Sequence, residues 1–449
     1  MSNRWEPKLV ALVCNWCTYA GADMAGTARR TQVPNIRIVR LPCTGRIDPV
    51  FVLKAFGQGA DGVIVSGCHP GDCHYVQGNM LARRRLSVFG ELMHFLGLDR
   101  RRLHFAWVSA SEGVKWSHVV DEATAAVREV GPLGRWSSSN RNGSTVFALP
   151  ERGREPRSAP AADEVARVAA ALRAQATALL AGGEVSVVAG YERGSLPGQM
   201  VPGFAADPVG VEALDWNERC ASNLTVYLPE LLKREGKIGL VVKSCDAKAV
   251  VGLVRENQLD RDRVILIGVP CAGVWEDGHL AAKCYACAEE VSPLADVSLD
   301  PASSGGRAVA DDPRDAEIAA LEALPATERW EFWQRQFGRC IRCYACRAVC
   351  PLCYCGTCVA DKTRPQWIPV SIEGAANTTW NVIRAMHLAG RCVGCDACQR
   401  ACPADIRLDL LSRRLANEIE IRFGYRPEQD PTAAPPLTTF LSSDQDEFV

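Results

Sequence analysis

Two stretches of this chain carry the same cysteine spacing, and that repeat limits what the chain can fold into more than any other feature. Cys340, Cys343, Cys346 and Cys350 form C-x2-C-x2-C-x3-C and are followed by Pro351; Cys392, Cys395, Cys398 and Cys402 repeat the pattern before Pro403. In all, 21 of the 449 residues are cysteine. Disulfide scaffolds of this density are small secreted domains, whereas a long intracellular chain keeps its thiols reduced and uses closely spaced ones as metal ligands. The N-terminus, MSNRWEPKLVALVCNWC, has an early acidic residue and an apolar run too short for a secretory signal, so a cytoplasmic location is expected. No run of about 18 apolar residues is present to span a membrane. Charges balance, 51 Lys+Arg against 52 Asp+Glu, which leaves no net field to gather nucleic acid.

Three thiolates at two-residue steps on a looped backbone can cap three corners of one [4Fe-4S] cubane. The fourth, opening a helix after the loop, points the other way and serves the second cluster. The expected sets are therefore Cys340, Cys343, Cys346 and Cys402 for one cluster, and Cys392, Cys395, Cys398 and Cys350 for the other. Structural zinc is the competing reading. It completes a tetrahedron from two Cys-x2-Cys pairs and has no use for a third cysteine at the same step, twice over.

Upstream, short branched apolar runs alternate with helix-length segments. The runs are Leu9–Cys14, Ile36–Cys43, Gly62–Cys68 and Leu103–Ala110, with helices expected over Val50–Phe56, Tyr75–Leu96 and Trp116–Val130. This pattern predicts a small doubly wound α/β domain whose parallel sheet is covered on both faces. Its cysteines all fall at strand ends or the turns that follow: Cys14, Cys17, Cys43, Cys68 and Cys73. The crevice beyond the carboxyl ends of parallel strands is where such sheets hold ligands. A thioredoxin-like Cys14–Cys17 redox pair, or inert buried thiols, would account for two or three of these five but not for all. His69 and His74 stand beside two of them, as mixed ligands or as hydrogen-bond partners that tune a cluster.

The stretches CNWCTYAGADMAGTAR, PCTGRIDPVFVLKAFGQGADGVIVSGCHPGDCHY and VSASEG resemble the delta subunit of methyl-viologen-reducing hydrogenase, over residues 9 to about 130. The resemblance implies a flavodoxin-like fold carrying a [2Fe-2S] cluster in place of flavin. It also implies a relay between a hydrogenase or formate dehydrogenase and the flavoprotein component of a heterodisulfide reductase. Where relatives have further cysteines this chain has Val13 and Ser66, so the ligands would be four of Cys14, Cys17, Cys43, Cys68 and Cys73.

Between the two cysteine-rich ends, Gly, Ser, Arg and Pro dominate residues 135–162, which reads as a linker. Residues 163–300 read as a second α/β unit, with a helix at Asp163–Leu180, strands at Glu184–Tyr191, Ile238–Cys245 and Arg263–Cys271, and a helix at Ala247–Glu256. A connector (301–330), the two-cluster module (331–425) and an extended acidic tail (426–449) complete the division, with the first domain at 1–134. Eight cysteines remain: Cys220, Cys245, Cys271, Cys284, Cys287, Cys353, Cys355 and Cys358. Eight suffice for one or two further [4Fe-4S] clusters, grouped as Cys245, Cys271, Cys284 and Cys287, and as Cys220, Cys353, Cys355 and Cys358. Some of them could equally be ordinary buried thiols. Residues 184–424, including RCIRCYACRAVCPLCYCGTC and RPQW, resemble beta subunits of deazaflavin-reducing hydrogenases and formate dehydrogenases. Some of those proteins bind FAD; this chain has no G-x-G-x-x-G after a strand, so only the resemblance argues for a flavin.

These features converge on an electron-transfer subunit within a larger assembly that includes a heterodisulfide-reductase-like flavoprotein and performs electron bifurcation through that partner. A flavin-containing deazaflavin-type oxidoreductase and a thiol redox sensor using Cys14–Cys17 are the alternatives. Released flavin fluorescence would select the first, and freely titrating thiols in iron-replete protein the second. Glu112 and Lys115 form a candidate docking pair on a face that solvent alone could also explain.

Overall fold

The computed structural model describes residues 5–134, 147–151, 153, 155–299, 308–427, 432–446 and 448. The Ser- and Arg-rich stretch at 135–145 expected as linker, and parts of the expected connector and tail, lie outside the described residues. The chain opens with β1 (Leu9–Cys14), α1 (Thr18–Thr27), β2 (Ile36–Leu41), α2 (Pro49–Gly57), β3 (Gly62–Gly67), α3 (Gly78–Phe95), β4 (Leu103–Trp107) and α4 (Gly113–Val130). All four strands are parallel in the order β2-β1-β3-β4. That is the flavodoxin-like doubly wound order without a fifth strand.

Because side chains alternate along a strand, β1 feeds two cores. Leu9, Ala11 and Val13 pack with Trp116, Val120 and Val127 of α4. Leu12 faces the opposite way, into the core of α2 and α3. Coverage on both faces fails at β2, where Ile38 and Val39 are 38% and 43% exposed. An apolar run cannot reveal that its strand lies at the sheet edge.

A second sheet has the order β11-β8-β7-β5-β6. It is built from β5 (Val187–Arg193), β6 (Met200–Ala205), β7 (Ile238–Val242), β8 (Val264–Gly268) and β11 (Val297–Ser298), with α5 (Ala162–Ala181) before it. Two short helices, α6 (Pro208–Ala213) and α7 (Leu228–Leu231), precede β7, and a small hairpin of β9 (Trp275–Glu276) and β10 (His279–Leu280) follows β8. β6 pairs antiparallel to β5, so the sheet is mixed. Pro202 and Gly203 dilute the apolar signal of β6, so its sequence does not announce a strand. Cys245, expected at a strand end, is the second residue of α8 (Ser244–Arg255), because β7 stops at Val242 and Asp246 caps the helix by accepting from Lys243 N–H.

The C-terminal region consists of α9 (Pro313–Glu322), α10 (Ala326–Gly338), α12 (Gly374–His387) and α14 (Leu408–Phe423). Two one-turn helices, α11 (Ala345–Ala348) and α13 (Ala397–Arg400), sit inside the cysteine runs. It does not stand apart: Phe89 and Phe95 of α3 share one continuous core with Trp333, Phe337, Trp380 and Leu411. Gly97, with φ +100°, permits the closest approach, since a Cβ there would lie 2.2 Å from the Ala326 carbonyl oxygen. Among the described residues of the acidic tail, Asp444 and Phe448 dock on the first domain. Asp444 takes a two-pronged ion pair from Arg84 at 2.6 and 2.7 Å, and Phe448 stacks on Trp107 with ring centroids 4.1 Å apart.

Candidate metal centres

The four parallel strands of the first sheet bring its cysteines to one edge. Cys14 ends β1, Cys43 and Cys68 follow β2 and β3, Cys73 lies in the next turn, and Cys17 starts α1. Cys14, Cys43, Cys68 and Cys73 form a buried cluster with Cys17 packed at its rim. The Sγ atoms of Cys14 and Cys68 are 3.6 Å apart, those of Cys43 and Cys73 3.8 Å. The backbone is built around the sulfurs: a Cβ on Gly78 would meet Cys43 Sγ at 2.3 Å and Cys73 Sγ at 3.4 Å. Gly45 N–H donates to Cys43 Sγ. A hydrogen bond from Cys68, together with the Cys17 and Trp16 N–H groups, holds the Cys14 thiol below its usual range in spite of burial. Its partner Cys68 is pushed up correspondingly. Burial raises Cys43 to about 11 and also raises Cys17. Four buried thiols with a fifth at the rim are a set of sulfur donors of the kind that iron–sulfur ligation uses.

Neither nearby histidine is idle. His69 Nε2 is 2.7 Å from Glu112 Oε2, which also accepts the Ser109 N–H at 2.7 Å. Glu112, half of the candidate docking pair with Lys115, is thus engaged by Ser109 and His69. His74 stacks on Trp16 at 3.8 Å, and Trp16 and Tyr75 are exposed beside the crevice.

In the C-terminal region each cysteine run turns through left-handed residues, Tyr344 (φ 61°) and Asp396 (φ 54°), into its short helix. Burial pushes Cys346 up against the pull of Arg384, and the thiols of Cys340, Cys402 and Cys343 add to the rise. Cys398 is raised by burial and by Cys392, Cys350 and Cys395. Cys402 of the second run thus acts on Cys346 of the first, and Cys350 of the first acts on Cys398 of the second. Arg384 of α12 lies between the sets, 5% exposed, and donates from Nη2 to the Cys346 carbonyl at 2.8 Å. Its buried Nε has no partner, though Cys398, Cys350, Cys346 and Cys353 surround the guanidinium. An orphaned charged donor among thiols is what a negatively charged sulfur-bearing group would satisfy. The residues fit such a group. Among the described residues, no three His, Cys, Asp or Glu side chains close tightly enough to hold a single metal ion.

The remaining cysteines divide differently from the sequence expectation. Cys220 is raised to about 12 by burial and stands near Lys243 and Cys271, at the crest of the second sheet with Cys245. It is not brought to Cys353, Cys355 and Cys358, which line a separate cavity of about 40 Å³ with Arg347 and Arg391. The cause is the loop after α6: Asp215 N–H bonds Tyr191 of β5 and the turn at Asn217–Cys220 folds back over the crest. Cys284 Sγ accepts from Val274 N–H at 3.4 Å, and Cys287 Sγ donates to the Glu289 carbonyl at 3.6 Å. Lys243 is a functional candidate that no motif reveals. Its amine is 1% exposed, pairs with Asp246 at 2.8 Å, donates to the Ser222 carbonyl at 3.0 Å and also bonds the Tyr191 hydroxyl. A lysine directly after the wholly apolar strand IGLVV is the available signal.

Comparison with known proteins locates two parts of the chain. The family model of the methyl-viologen-reducing hydrogenase delta subunit matches residues 9–131, and that of a 4Fe-4S dicluster domain matches residues 339–407. The latter implies two [4Fe-4S] clusters in that region. The chain is 48% identical over 133 residues to the iron–sulfur subunit of an F420-non-reducing hydrogenase from Archaeoglobus profundus, covering 30% of this chain and 97% of that protein. It is also 48% identical over 132 residues to the corresponding vhc iron–sulfur subunit of Methanococcus voltae, covering 29% and 92%. It is 44% identical over 128 residues to one component of a ferredoxin/F420H2-dependent CoB–CoM heterodisulfide reductase from Methanosarcina acetivorans, covering 28% of this chain but 16% of that one. Among the described residues no helix is long and apolar enough to cross a membrane.

Proposed function

Through its first domain the chain belongs to the methyl-viologen-reducing hydrogenase delta-subunit family, and from that premise we propose that it is an iron–sulfur electron-transfer subunit. It relays electrons between a hydrogenase or formate dehydrogenase and a heterodisulfide-reductase-like flavoprotein, in a cytoplasmic complex that bifurcates electrons at the partner's flavin. The division into a first domain, a beta-subunit-like unit and a two-cluster module belongs to the same reading. Bound clusters would supply reversible one-electron carriers; the protein holds them, excludes water and sets their surroundings. Cys340, Cys343, Cys346 and Cys402 hold one cubane, and Cys392, Cys395, Cys398 and Cys350 the other. Cys14, Cys43, Cys68 and Cys73 hold a [2Fe-2S] cluster, with Cys17 outside the set. Cys245, Cys271 and Cys284, with Cys220 or Cys287, hold a further cubane.

The observation that supports this most is the crossed arrangement of the two cysteine runs in a module sharing its core with the first domain. Arg384 stabilises negative charge between the runs, and the buried crevice in the first sheet keeps solvent from its thiols. Anaerobic iron and sulfide quantitation with EPR tests the reading. About ten iron atoms per chain correspond to one [2Fe-2S] and two cubanes, and about fourteen to the additional cubane. Zinc in place of iron, or iron without acid-labile sulfide, would refute it.

A further inference from the structure

The first sheet has two edge strands, and the tail packs on one of them. At β4, Phe448 stacks on Phe105 and Trp107, with ring centroids 5.0 and 4.1 Å away. β2 forms the other edge and pairs with β1 alone. Its odd-numbered residues face β1: Leu9 N–H donates to the Asn35 carbonyl at 3.0 Å, and Asn15 N–H to the Leu41 carbonyl at 2.8 Å. Bonding alternates along a parallel strand, so the N–H and C=O groups of Ile38 and Arg40 point outward. Beside this edge, between the sheet and α2, lies a cavity of about 570 Å³, floored by Val10, Leu12, Val39 and Leu41 and bounded by Phe51 and Trp367. The charge around it has one sign. From Ala25 to Ile47 the sequence has five arginines, Arg29, Arg30, Arg37, Arg40 and Arg46, and neither aspartate nor glutamate. All five are exposed, and among the described residues none pairs with a carboxylate. Arg37 Nη1 reaches the Ile36 carbonyl at 3.3 Å, and Arg40 lies over the Tyr19 ring at 4.9 Å. Lys8 and Lys54 add to the cavity lining; Glu6, the carboxylate there, is paired with Arg128 at 2.6 Å.

We propose that the β2 edge is a docking site for an extended acidic segment of a partner protein, which pairs with Ile38 and Arg40 as a fifth strand and sets its carboxylates on the arginines. An edge with free N–H and C=O groups is a template for a further strand. Charges on an edge also deter unwanted pairing, but that needs neither an apolar cavity beside the strand nor arginines on the turns that flank it. A docked strand points alternate side chains to opposite faces, so apolar ones reach the cavity over which Val39 is exposed while acidic ones meet Arg40. The unpaired cations then select the partner by charge. A second copy of this edge would set arginine against arginine. A nucleic acid would meet the charge but leave the apolar cavity and the outward backbone groups unused. β2 ends two residues before Cys43, so a docked strand lies beside the cysteine crevice. What the docked partner exchanges there rests on the electron-relay reading; the docking itself does not.

The test is anaerobic fluorescence anisotropy with a fluorescein-labelled peptide of alternating glutamate and valine, six residues long to match β2, on the full-length protein as wild type, R37E/R40E and I38P. Iron and sulfide are measured on each sample. Saturable binding to wild type is expected, and R37E/R40E weakens it about tenfold. I38P removes an outward N–H without touching the β1 ladder and weakens it as well. A lysine–valine peptide does not bind, and hydrogen exchange slows over Ile36–Leu41 when the acidic peptide is bound. Absence of saturable binding, unchanged affinity in R37E/R40E, or protection that falls elsewhere overturns the proposal. A single-stranded oligonucleotide that displaces the peptide makes this face a general anion patch and overturns it, as does a wild-type dimer that R37E/R40E dissociates. If I38P loses iron, R37E/R40E carries the measurement, and loss of iron in both variants makes the residues structural and overturns it too. A wild-type protein without clusters refutes the electron-relay reading instead, a result distinct from failure of the peptide to bind.

Discussion

An alanine at position 78 would place its methyl carbon 2.3 Å from Cys43 Sγ, with the Gly45 backbone next to it. Neither neighbour is a flexible side-chain end, so G78A must displace the thiol or the start of α3. We expect it to cost about 1–3 kcal/mol, the usual range for overpacking, and to abolish the first domain's [2Fe-2S] EPR signal while leaving the cubane signals. The cysteines should separate by position: C17S keeps that signal, and C43S or C68S loses it. A C17S protein without the signal would refute the ligand set. The cysteines are legible in the sequence because their chemistry is written in local spacing. Arg384 is not, because a cation's relevance to a thiol arises only when distant segments meet. The spacing also could not place Cys220, whose loop is turned toward the second sheet by a hydrogen bond to Tyr191 of β5.

Helix α8 begins on a buried charge, and that makes it sensitive to single changes. Lys243 and Asp246 are both almost fully buried, and removing one partner strands the other. D246N or K243A should lower stability by about 3–5 kcal/mol, read as the midpoint of denaturant unfolding, whereas the K243M/D246L double variant should lose far less. Equal losses in single and double variants would refute the pairing argument. Strands β1, β3, β4 and β7 can be read from their apolar runs, since buried parallel strands need little else. The open face of β2 cannot, because apolar composition does not tell a central strand from an edge one. β6 escapes for the opposite reason: a strand with Pro202 and Gly203 lacks the run but still pairs antiparallel on β5.

The molecule as a whole is closed by its last residues. Although the Asp444 carboxylate is partly desolvated, Arg84 and the Leu441 N–H hold it below the usual carboxylate range. Its contribution is therefore complete above the ordinary aspartate pKa of ~3.9 and is lost only as pH falls through the lowered folded value. Limited proteolysis should find the tail protected from neutral pH down to that range and cut freely below it. D444N should leave it cut at every pH, and a D444N tail as resistant as wild type would refute the clamp. None of this is visible in the composition of the tail, whose acidic, Pro-containing sequence reads as extended chain.

The shared core has a consequence in time. The face of α2 and α3 that carries Phe89 and Phe95 is completed by Trp333, Trp380 and Leu411, so it cannot be covered until the C-terminal helices have been made. At ~5–20 residues per second, the roughly 300 residues between α3 and α14 take about 15–60 s to synthesise. Throughout that interval the first sheet is translated but unfinished, with a large apolar face waiting on a segment still inside the ribosome.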